Sequence, residues 1–274
     1  MSELYLIGTL PYDSRGRERL RGLLTALSPS TIGMQDTMDR GSGNILRPYL
    51  ESPEIEKQIE KHWLRFARKA GLRLNLQQED TYVQAVKQSL QVMGYDSEIA
   101  EDYARASGAE VVYMGIHRMQ TAQAQLARIF ALSMMNILKT VVDDPAARRE
   151  FLAELDKGPD SFIEYSSETS DLIYEDAEEI GSVLSLGKEA DYIRDFLVDK
   201  EMLDEFLLFQ SVGLGQIYDP QEDKVIASRI KDISEREGRK AAIIRVGYLH
   251  PVAYIIRDLM PEIITLNQWT SYTS

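Results

Sequence analysis

Histidines are the side chains of this chain best suited to acid–base or metal chemistry at neutral pH. The 274 residues contain His62, His117 and His250, and no cysteine. His117 and His250 each follow a short apolar run, in YMGIH and RVGYLH, whereas His62 lies beside Trp63 in a helical pattern. A neutral imidazole serves as metal ligand, general base or structural hydrogen-bond donor. We therefore consider His117 and His250 as candidate site residues and assign His62 to a helix surface.

Short apolar runs that stop at turn residues indicate buried parallel strands. The runs cover residues 4–7, 31–34, 110–114, 241–246 and 262–266. Leucines recur at helical spacing between the first two runs, which predicts a strand, helix, strand unit with a parallel crossover. The fold class expected is therefore α/β, with a mostly parallel central sheet flanked by helices.

The middle of the chain, residues 50–215, has a predominantly helical pattern. Ile55, Ile59 and Phe66 belong to one of several apolar stripes at helical spacing. We predict a helical middle insertion within a single domain that spans residues 1–274. The Met-rich stripe around Met134 packs in the core or forms a partner interface, such as that of a homodimer.

Residues at the carboxyl ends of the predicted strands are expected to meet. In an open parallel sheet these ends share one edge, and ligands bind in the crevice outside it. The rule brings together Gly8 and Thr9, Gln35 and Asp36, His117 and Arg118, and Gly247 and His250. The polar loop 35–48 follows a strand and suits a position over such a crevice.

The order of these pieces resembles the TraB/PrgY family and the related Tiki-like proteins. Members open with a strand and GTxH, continue with a strand ending in Glu, and close with a strand and GxxH. The corresponding pieces here are LIGTLP, SPSTIGMQ and RVGYLH, with ASGAEVVYMGIHRMQTAQAQLAR and QEDKVIASRI between them. The resemblance implies an α/β fold related to the erythromycin-esterase and ChaN-like proteins. In Tiki-like members it also implies a metal-dependent peptidase activity.

The resemblance carries over to individual positions. His250 matches the histidine of the closing motif, and Thr9 matches the threonine of the opening one. Arg128 and Asp223 match polar positions of the middle pieces, and Arg229 is a further binding candidate in the second of them.

Three positions depart from the family pattern. Pro11 stands where the family has histidine, and Glu222 stands where it has arginine. Gln35 replaces the expected glutamate, which deletes a proton acceptor and a negative ligand while keeping shape and hydrogen bonding. Pro11 also predicts an extended Leu10 and a sharp turn after the first strand.

Other residues are available to replace the lost ligands. A cluster of two histidines and one carboxylate can be drawn from His250, His117 and Asp13 or Asp36. Such a cluster would hold a divalent metal, with Mn, Co and Zn as the candidates.

Two functional hypotheses and one structural alternative follow. The first is a metal-dependent hydrolase of peptidase or esterase type, with His250, His117 and Gln35 as catalytic residues. The second is a binding or regulatory protein that keeps the crevice without the chemistry. In the structural alternative, His250 caps a helix that begins after Pro251 or ties the loop to a backbone carbonyl.

Composition limits the partners. The chain carries 44 acidic and 31 basic side chains, a net charge of −13, which disfavours nucleic acid. The longest apolar stretch falls short of the roughly 20 residues that a membrane span needs. No secretory leader pattern opens the chain. We expect a cytoplasmic protein with a peptide or small-molecule ligand.

Two charged segments are expected to be solvated. The basic cluster SRGRERLR, residues 14–21, lies beside a helical apolar pattern and predicts an exposed helix face. The acidic run at residues 165–182 is likewise assigned to the surface rather than to a site.

Overall fold

The structure is a computed structural model that describes residues 3–10, 13–35, 57, 61, 64–65, 67–92, 95–115, 138, 141–165, 171, 174–175 and 220–269. Its five strands form one parallel sheet. They are β1 (Leu4–Thr9), β2 (Thr31–Met34), β3 (Glu110–Tyr113), β4 (Lys240–Arg245) and β5 (Glu262–Thr265). The predicted α/β class and the parallel sheet are confirmed, and the five predicted runs coincide with these strands to within two residues.

Helices connect the strands of the sheet. They are α1 (Gly16–Leu27), α2 (Leu76–Val92), α3 (Tyr95–Ser107), α4 (Pro145–Lys157), α5 (Pro220–Ser234), α6 (Val246–Ile255) and α7 (Leu266–Trp269), with a 3-10 turn at Arg257–Leu259. The start of α4 shows how local sequence sets a boundary. The Asp144 side chain accepts hydrogen bonds from the backbone N–H groups of Ala146 and Ala147, and Pro145 occupies the first turn.

The strand order is β3, β2, β4, β1, β5. From β1 the chain skips one position to β2 and continues outward to β3, and it then returns to β4 and skips over β1 to β5. The connections that leave β2 and β4 therefore run in opposite directions. This divergence defines a topological switch point between the two strands, the usual place for a ligand crevice in an open α/β sheet.

The helices lie in two layers. Helix α1 packs against α3, and α5 packs against α6. Right-handed crossovers that run in opposite directions along the sheet place these two pairs on opposite faces. Helices α1 and α3 approach closely at Gly16, where a Cβ would overlap with the ring of Tyr95.

Two hydrophobic clusters are present among the described residues. The main one fills both faces of the sheet and includes Leu6, Ile32 and Ile243, all essentially inaccessible to solvent. The second lies in the helical region and contains Tyr82, Phe151 and other apolar side chains. Helix α3 and strand β3, which lie within the predicted helical region 50–215, pack in the main cluster. None of the described helices has the length and apolarity to span a membrane.

Candidate functional site

The strand-end edge is assembled as the parallel rule requires. Thr9, the last residue of β1, is opposite Arg245, the last residue of β4. Beyond the end of β2, the backbone N–H of Gln35 donates to the carbonyl of Ile243 at 3.0 Å. Residues more than 200 positions apart in sequence therefore meet at one edge, with β4 between β1 and β2.

Gln35 has a fixed side-chain orientation at this edge. Its Oε1 accepts a hydrogen bond from the backbone N–H of Arg245 at 2.7 Å. Only 8% of the residue is exposed, and within the described part of the structure its Nε2 has no hydrogen-bond partner. A buried donor left unsatisfied costs about 1–3 kcal/mol. Gln35 is therefore an energetically unfavourable feature of the edge as it stands.

Helix α6 begins directly at Gln35's partner. Arg245 is the N-cap of α6 and has an extended backbone, with φ −70° and ψ 141°. The partial positive charge of a helix N-terminus attracts negative groups. The amide of Gln35 therefore lies at the positive end of a helix that starts at the switch point.

Thr9 is a buried residue on the far side of β4. Its Oγ1 lies 3.4 Å from Asp96 Oδ2 and 3.4 Å from the carbonyl of Ile244, so its one hydroxyl proton serves one of them at a time. Asp96 Oδ1 also accepts a hydrogen bond from the backbone N–H of Ser97 at the start of α3. These contacts join β1 to α3 and give Thr9 an interior packing role.

Asp13 belongs to a buried ion network, which we define as Asp13, Arg19, Asp171 and Tyr174. Asp13 is inaccessible to solvent, and its Oδ1 accepts from the backbone N–H of Arg15 at 2.9 Å. Its Oδ2 accepts from Arg19 Nη1 and from the Tyr174 hydroxyl, each at 3.3 Å. The carboxylate proposed from the sequence as a metal ligand is therefore engaged by three protein donors.

The electrostatics of the network follow from its burial. Burial raises the pKa of Asp13, although the Arg19 charge and the Arg15 N–H act in the opposite direction. Burial also raises the pKa of Tyr174 well above its usual value, so its hydroxyl stays neutral. That hydroxyl accepts from the backbone N–H of Leu10 at 2.9 Å and donates to Asp13. Tyr174 thus ties the end of β1 to the network.

The network places Arg19 of the basic segment and Tyr174 of the acidic run in the interior, whereas Arg15, Glu18, Arg21 and Glu175 are exposed as predicted. Arg19 is only 4% exposed and forms two hydrogen bonds with Asp171, at 2.7 and 3.2 Å. Tyr174, from the acidic run, is fully buried. A signal was available in the sequence, because Arg19 lies four residues before Leu23 and therefore on the apolar face of α1. Its acidic partners lie 6 and 152 positions away, which no local pattern links to it.

The turn after β1 agrees with the prediction made from Pro11. Leu10 lies outside any helix, and the backbone N–H of Asp13 donates to its carbonyl at 3.2 Å. This bond brings the chain back towards the end of the strand. Pro11 itself lies outside the described residues.

His250 lies inside α6, which corrects the helix boundary expected from the sequence. The helix begins at Val246, and Pro251 falls within it. His250 is half-buried in the helix and is not its N-cap, a position that Arg245 occupies. The hypothesis that His250 caps a helix starting after Pro251 is therefore wrong, because the strand passes directly into the helix without a loop.

Gly8 allows α6 to approach the sheet. A Cβ at this position would lie 2.8 Å from Leu249 Cδ2 and 3.6 Å from Thr265 Cγ2. A separation of 2.8 Å is shorter than any normal carbon–carbon contact, so a larger side chain would displace Leu249. Close packing of α6 on β1 explains this glycine.

The remaining candidates are dispersed. Gly247 and Asp223 are buried in α6 and α5, and Arg229 is exposed on α5. His117, Asp36, Arg118 and Arg128 lie outside the described residues. No group of three or more metal-ligating side chains occurs in the part of the chain that the structure describes.

A cavity of about 250 Å³ lies beside the segment that joins β1 to α1. It is lined by Ser14, Arg15, Gln88, Asp160, Ile163 and Glu164. Arg15 donates to Glu164 at 2.6 Å, so the one cation of the lining is already paired. This groove is a polar surface feature beside the buried ion network.

These features define an α/β protein with an open parallel sheet wound in both directions and a buried amide at its switch point. No family model, curated protein or solved structure matches the chain.

Proposed function

We propose that this chain is a TraB/PrgY-like binding or regulatory protein that keeps the strand-end crevice and has lost the metal-dependent chemistry. The observation that carries the proposal is the environment of Gln35. The side chain occupies the position where the family has glutamate, and its oxygen is bound to the backbone of Arg245. The other half of the Gln35 amide is an NH2 group, which only donates hydrogen bonds and cannot bind a cation.

The environment of Asp13 supports the same proposal. A metal ligand must offer a lone pair, and all three contacts of this carboxylate are to protein donors. A metal bound to Asp13 would place a second cation beside the buried guanidinium of Arg19. Asp13 is therefore a poor substitute for the lost ligands.

A metal-dependent hydrolase of peptidase or esterase type is the second candidate. It is favoured by the parallel register, which sets the ends of β1, β4 and β2 side by side as the resemblance requires. His250 lies on α6, just beyond the end of β4. In this alternative His250 and His117 hold Mn, Co or Zn at the edge.

Metal analysis of the purified protein decides between the two. Wild type, His250→Ala and the control His62→Ala are each incubated with Mn²⁺, Co²⁺ or Zn²⁺, dialysed and analysed for bound metal. We expect far less than one metal per chain in all three proteins. Stoichiometric metal in wild type and His62→Ala that is lost in His250→Ala would replace the binding proposal with the hydrolase.

The partner and location remain those that composition favours. A net charge of −13 opposes a polyanion, so we infer a peptide or small-molecule ligand rather than nucleic acid. We infer a cytoplasmic location and keep a homodimer as the assembly to test by size-exclusion chromatography with light scattering.

A further inference from the structure

The amide of Gln35 has only one chemically consistent orientation. A backbone N–H can only donate, so the side-chain atom 2.7 Å from the Arg245 nitrogen must be the oxygen. The NH2 group therefore faces the other way, with two donor hydrogens. Gln35 is 92% buried, and the described residues supply no acceptor for Nε2. The structure therefore places an unused pair of donors inside the edge.

The start of α6 is a second feature that favours a hydrogen-bond acceptor with negative charge. The helix has ten residues, so its dipole is well developed, and its N-cap is the residue that holds the Gln35 oxygen. The NH2 group belongs to the same planar amide, whose oxygen is bound to that N-cap. Donor hydrogens and a positive helix end together favour an anionic oxygen and disfavour a cation.

We infer that the switch point between β2 and β4 binds a ligand through an anionic oxygen, a carboxylate or a phosphate group, which accepts hydrogen bonds from Gln35 Nε2 at the N-terminus of α6. This inference rests on the proposed function and names its ligand class. Carboxylate and phosphate share the chemistry that the site recognises, and the experiment separates them.

The experiment monitors the Gln35 side-chain amide by two-dimensional ¹H–¹⁵N NMR, with its signals assigned by their loss in Gln35→Met. Inorganic phosphate and acetate are titrated separately at constant ionic strength, with sodium chloride as the reference. We expect a saturable shift of the Gln35 amide with one of the two anions. Saturation with phosphate identifies a phosphate ligand, and saturation with acetate identifies a carboxylate ligand.

Two variants test whether this amide is responsible. Gln35→Glu keeps an acceptor for the Arg245 N–H but places a second oxygen where the donors were. We expect the affinity, measured on the Val246 backbone amide, to fall at least about tenfold. Gln35→Met removes the donors without adding charge and is expected to weaken binding in the same direction. Gln88→Glu, the same change at an exposed position of α2, is expected to retain wild-type affinity.

The outcomes separate this inference from the proposal on which it rests. The absence of a saturable response to either anion in metal-free protein would overturn the anion site and leave the binding proposal standing. Unchanged affinity in both Gln35→Glu and Gln35→Met would also overturn the anion site. Stoichiometric metal in wild type would instead overturn the binding proposal, whatever the anions do.

Discussion

The guanidinium of Arg19 forms an ion pair with Asp171 through two hydrogen bonds, at 2.7 and 3.2 Å. Its Nη1 also lies 3.3 Å from Oδ2 of the fully buried Asp13. Arg19 therefore contacts two carboxylates, and it joins α1 to the loop after β1 and to a segment about 150 residues later. Arg15 Nη1 also lies 4.0 Å from Asp171 Oδ2. The buried ion network is consequently a stability element beside the strand-end edge.

Replacement of Arg19 by methionine should strongly destabilise the fold. The change keeps the apolar stem but leaves Asp13 buried without its counter-charge, and breaking a buried pair in this way costs about 3–5 kcal/mol. Urea unfolding at neutral pH measures the free energy of unfolding. The control Arg21→Met, on an exposed position of the same helix, should change it by no more than about 0.5 kcal/mol. Equal effects of the two substitutions would refute a stabilising role for the network.

The stability contribution of Asp13 should depend on pH in the direction set by its raised pKa. Because the folded state holds the proton more tightly than the unfolded state, this contribution is complete below roughly pH 4, the unfolded pKa. It is lost as the pH rises through the folded pKa. Asp13→Asn cannot titrate, so the stability of wild type minus that of the variant should fall as pH rises.

Urea unfolding of wild type and Asp13→Asn between pH 3 and pH 7 measures this difference. Asp160→Asn, at the surface cavity, serves as a control carboxylate outside the network. If the difference in the free energy of unfolding between wild type and Asp13→Asn rises with pH, the charge of Arg19 has a larger effect on the pKa of Asp13 than burial has.

Gly8 should act through packing rather than through ligand contact. Gly8→Ala is expected to destabilise the protein by about 1–3 kcal/mol, because the new methyl group displaces Leu249 from β1. Leu249→Ala alone should cost about 2–5 kcal/mol by creating a cavity. In the double variant the new methyl group fills part of that cavity. The double variant should therefore lose less stability than the sum of the losses in the two single variants.

A double-mutant cycle measured by urea unfolding gives this coupling, which we expect to be about 0.5–3 kcal/mol. Additive costs would mean that Gly8 and Leu249 do not share the space. The pair Gly8→Ala and Leu155→Ala is the matched control, because Leu155 belongs to the other hydrophobic cluster.

Phe162 should stabilise the helical region more than the sheet. Its ring centroid lies 5.1 Å from that of Phe151 and 6.2 Å from that of Tyr82, both in edge-to-face contact. Phe162→Ala is expected to cost about 3–5 kcal/mol, because a large cavity forms in the second cluster. Relative to wild type, amide hydrogen exchange in Phe162→Ala should accelerate more in α2 and α4 than in β1 and β4.

The control for Phe162 is Leu76→Ala in α2. Leu76 is 87% exposed, so its truncation should leave exchange rates and stability nearly unchanged. Uniformly faster exchange in the sheet and the helices after Phe162→Ala would show that the two clusters unfold as one unit.

Local sequence was sufficient for the strands, because a parallel strand covered on both faces must be apolar along its whole length. Residues 31–34, which are all buried, were predictable for that reason, whereas residues 110–113 form a partly exposed edge strand that only its apolar run indicated. The end of β4 was placed within one residue, but the helix that follows was not, since VGYLHP carries turn and helix signals together. Leu249 of that helix packs on Gly8 of β1, a tertiary contact that the local sequence does not reveal.

The candidate site was predictable only in part. Gln35 followed from its position after a predicted strand, but the bond from Arg245 that orients its amide spans 210 positions. Asp13 was selected as a metal ligand because a carboxylate near a strand end offers lone pairs. Its engagement by Arg19 and Tyr174 depends on how α1 and the residues near 174 pack.

By itself, the sequence determined which residues form the strands, because a short apolar run bounded by turn residues is a local property. Only the tertiary structure decided that β4 lies between β1 and β2 and that Arg19 is buried. It also decided that Gln35 presents donors rather than a carboxylate-like acceptor. Strand order and hydrogen-bond partners depend on free energies shared between distant segments, which no short stretch of residues contains.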